Sequence, residues 1–331
     1  PIFAVVSPGR LHFGFGRWLR YTHPPSPRTA TPRDGMTFSL EALQQLLDLE
    51  RIEHNIFRGQ SIDIGSGFVY GGQALAQSLV AAARTLEDES RLCHSMHGYF
   101  ILPGDVDAPI VYEVDRLRDG NSFTTRRIVA IQHGRAIFNM AASFQRPEPG
   151  KEHQTDPPDV PGPHGLPSEL DLIRRVEDRI PEEKRDFYTR DRPIEFRPVD
   201  PADPFDPQEK APERHLWFRA QGTLPDDART HRSVLAYASD YGLLGTALRP
   251  HGLSFVQPEL QLASLDHALW FHRDVRLDDW LLYAMESPSA SGARGYTRGQ
   301  IFTEDGTLVA SVAQEGLMRL RDDRDAGADD G

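Results

Sequence analysis

The chain reads the same way twice. In its first half, Gly71 to Ala83 (GGQALAQSLVAAA) is a run of small and apolar residues that predicts a helix buried on most of its surface. Four extended segments follow, at about 92–102, 109–118, 121–133 and 135–146, the last two meeting at the turn His133-Gly134. In the second half a strand over Arg214–Ala220 precedes a helix that opens at Pro225-Asp226-Asp227 and runs to about Leu244. Extended segments again follow, at 258–272, 279–288, 291–304 and 307–320, with Asp305-Gly306 as a hairpin turn. A few residues recur at offsets of 170 to 172: His97 with Phe100 as His267 with Trp270, Tyr112 as Tyr283, Arg126 as Arg298, and Gly134 as Gly306. Repeated order and spacing together predict a duplication. The fold class expected is α+β, with a buried helix wrapped by an antiparallel sheet in each half.

The remaining segments frame these halves. Ser39 before Leu40, Leu43, Leu46, Leu47 and Leu49 predicts a short capped helix, and Ser168 with Asp171 an approximate capping box. Residues 1–35 are Arg-rich and acid-poor, and Pro24, Pro25, Pro27 and Pro32 break any amphipathic helix there, so they are expected to be a disordered leader with Met36 the natural start. The division expected is 1–35 leader, 36–146 first unit, 147–212 Pro-rich linker with short helices, 213–321 second unit carrying the site, and 322–331 an acidic tail.

Composition narrows the function. A net charge of −12 opposes binding to phosphate backbones, so no nucleic-acid partner is expected. No apolar run is long enough to span a membrane, and the single cysteine, Cys93, excludes an internal disulfide framework. The chain contains no nucleophile elbow, no phosphate loop and no H-E-x-x-H zinc motif. His94 and His97, and His267 and His272, are spaced to face opposite sides of a strand, which argues for structural roles rather than metal ligation. Cys93 reads as a small core residue. No metal or cofactor is expected.

Three polar residues stand out. Asp240 falls on the second helix among Ala236, Tyr237 and Leu244, and a carboxylate on an apolar stripe is costly unless paired, which raises its pKa toward the range of a general base. Alternatively Asp240 caps a short following turn, since Gly242 and Gly245 suggest that the helix loosens there. Ser264 lies on a strand with Leu265 and His267 expected on the opposite face, and Gln314 shares a face with Val312 and Gly316. Asp, Ser and Gln together can hold a water, with the carboxylate taking its proton.

At these residues the chain resembles the acyl-CoA thioesterase II family. The resemblance is carried by Phe57-Arg58-Gly59-Gln60, Tyr70-Gly71-Gly72-Gln73-Ala74, Leu102-Pro103-Gly104-Asp105 and Leu117-Arg118-Asp119-Gly120-Asn121-Ser122-Phe123 in the first half. In the second half it is carried by Ala238-Ser239-Asp240, Asp266-His267-Ala268-Leu269-Trp270-Phe271-His272, Ser289-Ala290-Ser291, Ala293-Arg294-Gly295 and Gln314-Glu315-Gly316. It covers about residues 40–320 in collinear order. It implies a double hotdog fold and hydrolysis of acyl-CoA to fatty acid and CoA by water, without a covalent acyl-enzyme. The family's Asp, Thr-or-Ser and Gln set falls on Asp240, Ser264 and Gln314, with Ser264 where members often carry Thr. A non-catalytic acyl-CoA-binding protein is the alternative; an enoyl-CoA hydratase is disfavoured because no His follows Asp240 until His251. Gly71, Gly72 and Gln73 are expected to be structural or to line an acyl tunnel, and Arg126, Arg127, Arg294 and Arg298 either to meet CoA or to lie on solvated strand faces. A homo-oligomer in the cytoplasm is expected.

Overall fold

The computed structural model describes residues 38–321. The first half opens with α1 (Leu40–Leu47), capped by the Ser39 hydroxyl, which accepts from the Ala42 N–H at 3.2 Å. A hairpin of β1 (Glu50–Glu53) and β2 (Ile56–Gly59) leads to α2 (Gly71–Ala83), then to β3 (Leu92–Phe100), β4 (Ile110–Asp119), β5 (Phe123–Gln132) and β6 (Arg135–Gln145). Two short helices follow, α3 (Glu169–Arg174), which carries the Ser168–Asp171 capping box, and α4 (Glu182–Thr189). The second half contains β7 (Ile194–Pro198), β8 (Glu213–Ala220), α5 (Ala228–Ser239), α6 (Leu243–Leu248), β9 (Leu260–Ser264), β10 (Asp266–Phe271), β11 (Leu281–Ser291), β12 (Arg294–Thr303) and β13 (Leu308–Leu320). No helix among the described residues is long and apolar enough to cross a membrane.

All named strands join one antiparallel sheet, ordered β1-β2-β4-β5-β6-β3-β10-β13-β12-β11-β8-β7, with β9 extending along β13. The order is a palindrome about the β3–β10 seam, where Ala268 pairs with His97. This is the expected double hotdog, closed edge to edge. Each half contributes a long helix, α2 and α5, and the two lie against each other, while α6 packs on β11 and β12. Leu75 and Ala76 of α2 and Val234, Leu235 and Ala236 of α5 are fully buried there.

The small residues of α2 allow that approach. A Cβ on Gly72 would stand 2.2 Å from the Tyr237 carbonyl oxygen, inside any tolerable contact. The polar residues of α2 are held by specific bonds. Gln77 donates to the Leu46 and Gln60 carbonyls at 2.7 and 3.0 Å, and accepts from the Tyr112 hydroxyl at 2.6 Å. Tyr283 reaches the helix of the second half, donating to the Ser239 carbonyl at 2.8 Å. Both tyrosines are fully buried, so this recurrence is a true equivalence. Gly134 and Gly306 likewise both sit in turns at positive φ.

The other matched residues fail on parity. His97 is exposed and His267 buried, Arg126 buried and Arg298 exposed. Phe100 lines a cleft, whereas Trp270 is exposed and packs on the outer face against His97. Side chains alternate across a strand, so a change of one residue in offset exchanges the faces. Ladder registry gives Met96 and Cys93, not His97, as partners in the repeat.

Three segment boundaries also differ from the periodicity. The helix expected to reach Leu244 ends at Ser239, because Gly242 takes φ +85 and restarts the chain as α6. The segment expected at 258–272 is two strands, broken at Leu265. The β1–β2 hairpin and β7 are additional, polar or proline-flanked pieces whose apolar periodicity is too brief to signal them.

Gly72→Ala should therefore lower stability by about 1–3 kcal/mol by forcing α2 off α5, whereas Gly150→Ala, which meets nothing within 4 Å, should change it little. Urea unfolding midpoints of the two variants check this.

Candidate active site

Asp240 lies at the end of α5 as its C-cap, not within the helix. That is an unfavourable place for a carboxylate, because the carbonyl end of a helix carries negative partial charge. The neighbouring helix supplies the remedy. The two helices run so that the start of α2 meets the end of α5, and the Gly72 N–H donates to Asp240 Oδ2 at 3.1 Å. The approach is close enough that a Cβ on Gly71 would stand 2.6 Å from the same oxygen. Asp240 is 1% exposed, and its other oxygen, Oδ1, is buried with no hydrogen-bond partner among the described residues. Burial pushes the Asp240 carboxyl up to about 7, against the opposing pull of Gln314, the Gly72 N–H and Ser264.

Ser264 and Gln314 come together across the β9–β13 ladder. Gln314 Nε2 donates to Ser264 Oγ at 2.5 Å. Their meeting depends on a register slip. Ser264 pairs with Gly316, yet Ala268 pairs with Ala313, so three residues on one strand oppose two on the other. This is a β-bulge at Leu265, whose N–H reaches the Glu315 carbonyl at 2.9 Å, while the Glu315 N–H donates to the Asp266 carboxylate at 2.7 Å.

The bulge has a second effect that sequence parity missed. One extra residue brings His267 to the face of Ser264 rather than the opposite one. His267 Nδ1 lies 3.1 Å from Gln314 Oε1 and its Nε2 lies 2.9 Å from Ser239 Oγ. His267 is therefore part of the polar cluster, and the aspartate within the strand, at Asp266, is the signal that could have disclosed the bulge. The His94 and His272 rings hydrogen-bond to Ser143 and Ser311, outside this cluster. Cys93 is a buried core residue whose thiol burial pushes up to about 12.

A cleft with about 230 Å³ of free volume opens onto Asp240 and Ser264. Its walls come from both halves: Phe68, Val69, Gly71, Phe100 and Leu102 from the first, and Leu262 and Leu265 from the second. The first half thus does more than scaffold, since it gives the N–H on Asp240 and one wall of the cleft. Among the described residues no group of three or more His, Cys, Asp or Glu is placed to hold a metal.

The mate of this cluster, at the other end of the helix pair, is apolar. The same slip occurs between Cys93 and Ser95 on β3, and registry places Cys93 opposite Phe144 and Met96 opposite Ala142. Cys93, Met96 and Ala142 thus stand where the second half has Ser264, His267 and Gln314. The space beside Ala142 is taken by Arg126, 1% exposed, which donates to Thr85 Oγ1 at 2.8 Å at the end of α2 and pairs with Asp119. Arg127, Arg294 and Arg298 are each paired with a carboxylate, of Asp115, Glu315 and Glu286. The four arginines do not form a cluster.

With the geometry in place, comparison with known proteins decides the family. Models described as acyl-CoA thioesterase and acyl-CoA thioesterase N-terminal domain match residues 183–317 and 60–145. Acyl-CoA thioesterase 2 of Haemophilus influenzae is 41% identical over 285 residues, spanning 86% of this chain and 99% of that protein. The chain belongs to the acyl-CoA thioesterase family. Human acyl-coenzyme A thioesterase 8 is 38% identical, over 83% of this chain and 88% of its own length. The crystal structure of an acyl-CoA thioesterase II from Mycobacterium marinum superposes with a TM-score of 0.70 at 42% identity, covering 85% of this chain and 98% of that one. The thioesterase family thus accounts for nearly all of the described fold, and both halves of the cleft fall within it.

The raised pKa of Asp240 has a cost that can be measured. The unfolded chain releases this proton near the ordinary carboxylate value, and the folded chain only near 7, so the native state is penalised as pH rises through that window. Asp240→Asn should therefore be more stable than the native chain at pH 8, by on the order of 2–4 kcal/mol, with the gap closing by pH 4. Denaturant titrations at the two pH values test the sign.

Proposed function

We propose that this chain hydrolyses acyl-CoA thioesters, using water held by Asp240, Ser264 and Gln314, with no covalent acyl-enzyme. The observation that carries the reading is the orphaned Oδ1 of Asp240. A buried carboxylate oxygen with no donor among the described residues, beside the Gln314 amide and Ser264 hydroxyl and at the head of a cleft, is a seat for one water. Family membership supplies the substrate class, and the names of the Haemophilus and human relatives agree with it.

The chemistry follows from the electrostatics. Water attacks a thioester carbon poorly unless it is oriented and loses a proton as the bond forms. A carboxylate with a pKa near 7 is a stronger base than an ordinary aspartate and is still ionised above neutrality. Asp240 takes the proton, while Ser264 and Gln314 direct the water's lone pair toward the carbonyl carbon. The negative charge that appears on the thioester oxygen needs an N–H donor. Gly71, the first residue of α2 and a wall of the cleft, presents one at the positive end of that helix. Collapse of the tetrahedral intermediate breaks the C–S bond, and the proton held by Asp240 goes to the departing CoA sulfur. The side chains of Phe68, Phe100, Leu102 and Leu262 offer an apolar bed for the acyl chain.

Release of free CoA thiol measures the reaction. Asp240→Asn should lower kcat by about 10²–10⁴-fold, and Ser264→Ala and Gln314→Ala by lesser factors, with all three proteins folded. The rate of the native enzyme should fall as pH drops through about 7, where Asp240 becomes protonated. A first turnover in ¹⁸O-labelled water separates base from nucleophile. Attack by water puts the label into the fatty acid at once; an unlabelled acid or a label in the Asp240 carboxyl, as arises when water opens an Asp240 anhydride at the Asp240 carbonyl, would sink the water mechanism. Unchanged turnover in Asp240→Asn would sink the base assignment.

A further inference from the structure

We propose that His267 is a positioning residue for the hydrolytic water: its Nδ1–H fixes the side-chain amide of Gln314 so that the NH2 faces Ser264 and Asp240. This rests on the reading that Asp240, Ser264 and Gln314 activate water.

A glutamine amide has two orientations of nearly the same shape, and nothing in its own structure chooses between them. One places the NH2 toward Ser264 and the carboxylate; the other places a carbonyl oxygen there, where it would repel Asp240. The carboxylate of Asp240 favours the first, which turns the NH2 toward it, and the contacts are those of that orientation. Gln314 Nε2 donates to Ser264 at 2.5 Å, and its Oε1 lies 3.1 Å from His267 Nδ1. An oxygen at that distance requires a donor, so the imidazole must carry its proton on Nδ1. Its Nε2 is then an acceptor and faces Ser239 Oγ at 2.9 Å, whose hydroxyl supplies the proton. The same hydroxyl lies 3.0 Å from the Ala236 carbonyl, the acceptor it would use if the tautomer were reversed. The chain of bonds therefore runs from Ser239 through His267 and Gln314 to Ser264, in one direction.

This arrangement needs a neutral imidazole, and burial holds His267 down to about 4, well clear of working pH. A merely structural histidine is not required at this place. Registry sets Met96 in the equivalent position of the first half, so the fold accepts an apolar side chain there. Only the half with an amide to orient carries the imidazole.

The test compares His267→Met, which copies the side chain of that mate, with His267→Asn, whose amide N–H can take the place of Nδ1–H. His267→Met should lower kcat about tenfold or more while KM for an acyl-CoA moves less than about threefold, and His267→Asn should recover most of the loss. If His267 acts through Gln314, His267→Met should cost nothing further in a Gln314→Ala background. Native kcat in His267→Met, or full additivity in the double variant, would overturn the proposal. Native kcat in Gln314→Ala would instead overturn the water-activation reading on which it rests. Imidazole ¹⁵N shifts of the native protein give an independent answer that no folding defect can obscure: the Nδ1–H tautomer at His267 is expected, and the Nε2–H tautomer would refute it.

Discussion

Asp240 stands at the wrong end of its own helix and the right end of the other one. The carbonyl terminus of α5 repels a carboxylate, and the N–H terminus of α2 attracts it. Only the close crossing at Gly72 lets the second effect reach Asp240 before the first excludes it. The double hotdog is thus more than a container for this group. Neither half alone can hold a buried, partly ionised carboxylate, because each offers only one of the two helix ends that the site needs. The seam between β3 and β10 locks the halves in the orientation that brings those ends together.

The first half shows what the same backbone does without that demand. At the end of α2 a buried Arg126 bonds to Thr85, placing positive charge where helix electrostatics favour it. Cys93, Met96 and Ala142 fill the adjoining positions with apolar atoms. The second half instead places a carboxylate with a raised pKa, a serine and a glutamine there, in hydrogen bonds that leave one carboxylate oxygen without a partner among the described residues. That oxygen, Asp240 Oδ1, is the atom the chemistry would use.

Much of this was legible in the sequence, for reasons that differ by element. The buried helix α2 and the hairpins ending at Gly134 and Gly306 follow from composition and turn chemistry, which are local. Tyr112 and Tyr283 betrayed the duplication because each meets the central helix of its own half. Asp240 was conspicuous as a charge among apolar residues, and it is buried; it ends α5, while the turn that follows is capped by Gly242 instead. What sequence could not show was parity across a bulge. A slip of one residue at Leu265 moved His267 to the face of Ser264, and counting in twos along an unbroken strand assigned it to the other side. The same error paired His97 with His267. The contact of Gly72 with Asp240 is also non-local, spanning 168 residues, and only the helix crossing discloses it.

The slip occurs in both halves at matching places, beside Cys93 and beside Ser264. In the second half it unites a serine, a histidine and a glutamine; in the first it unites nothing but core. A slip that recurs where it gathers no polar cluster belongs to the repeated unit rather than to the site. The bend is therefore set by how each strand meets its neighbour, and the residues placed on it decide what it holds.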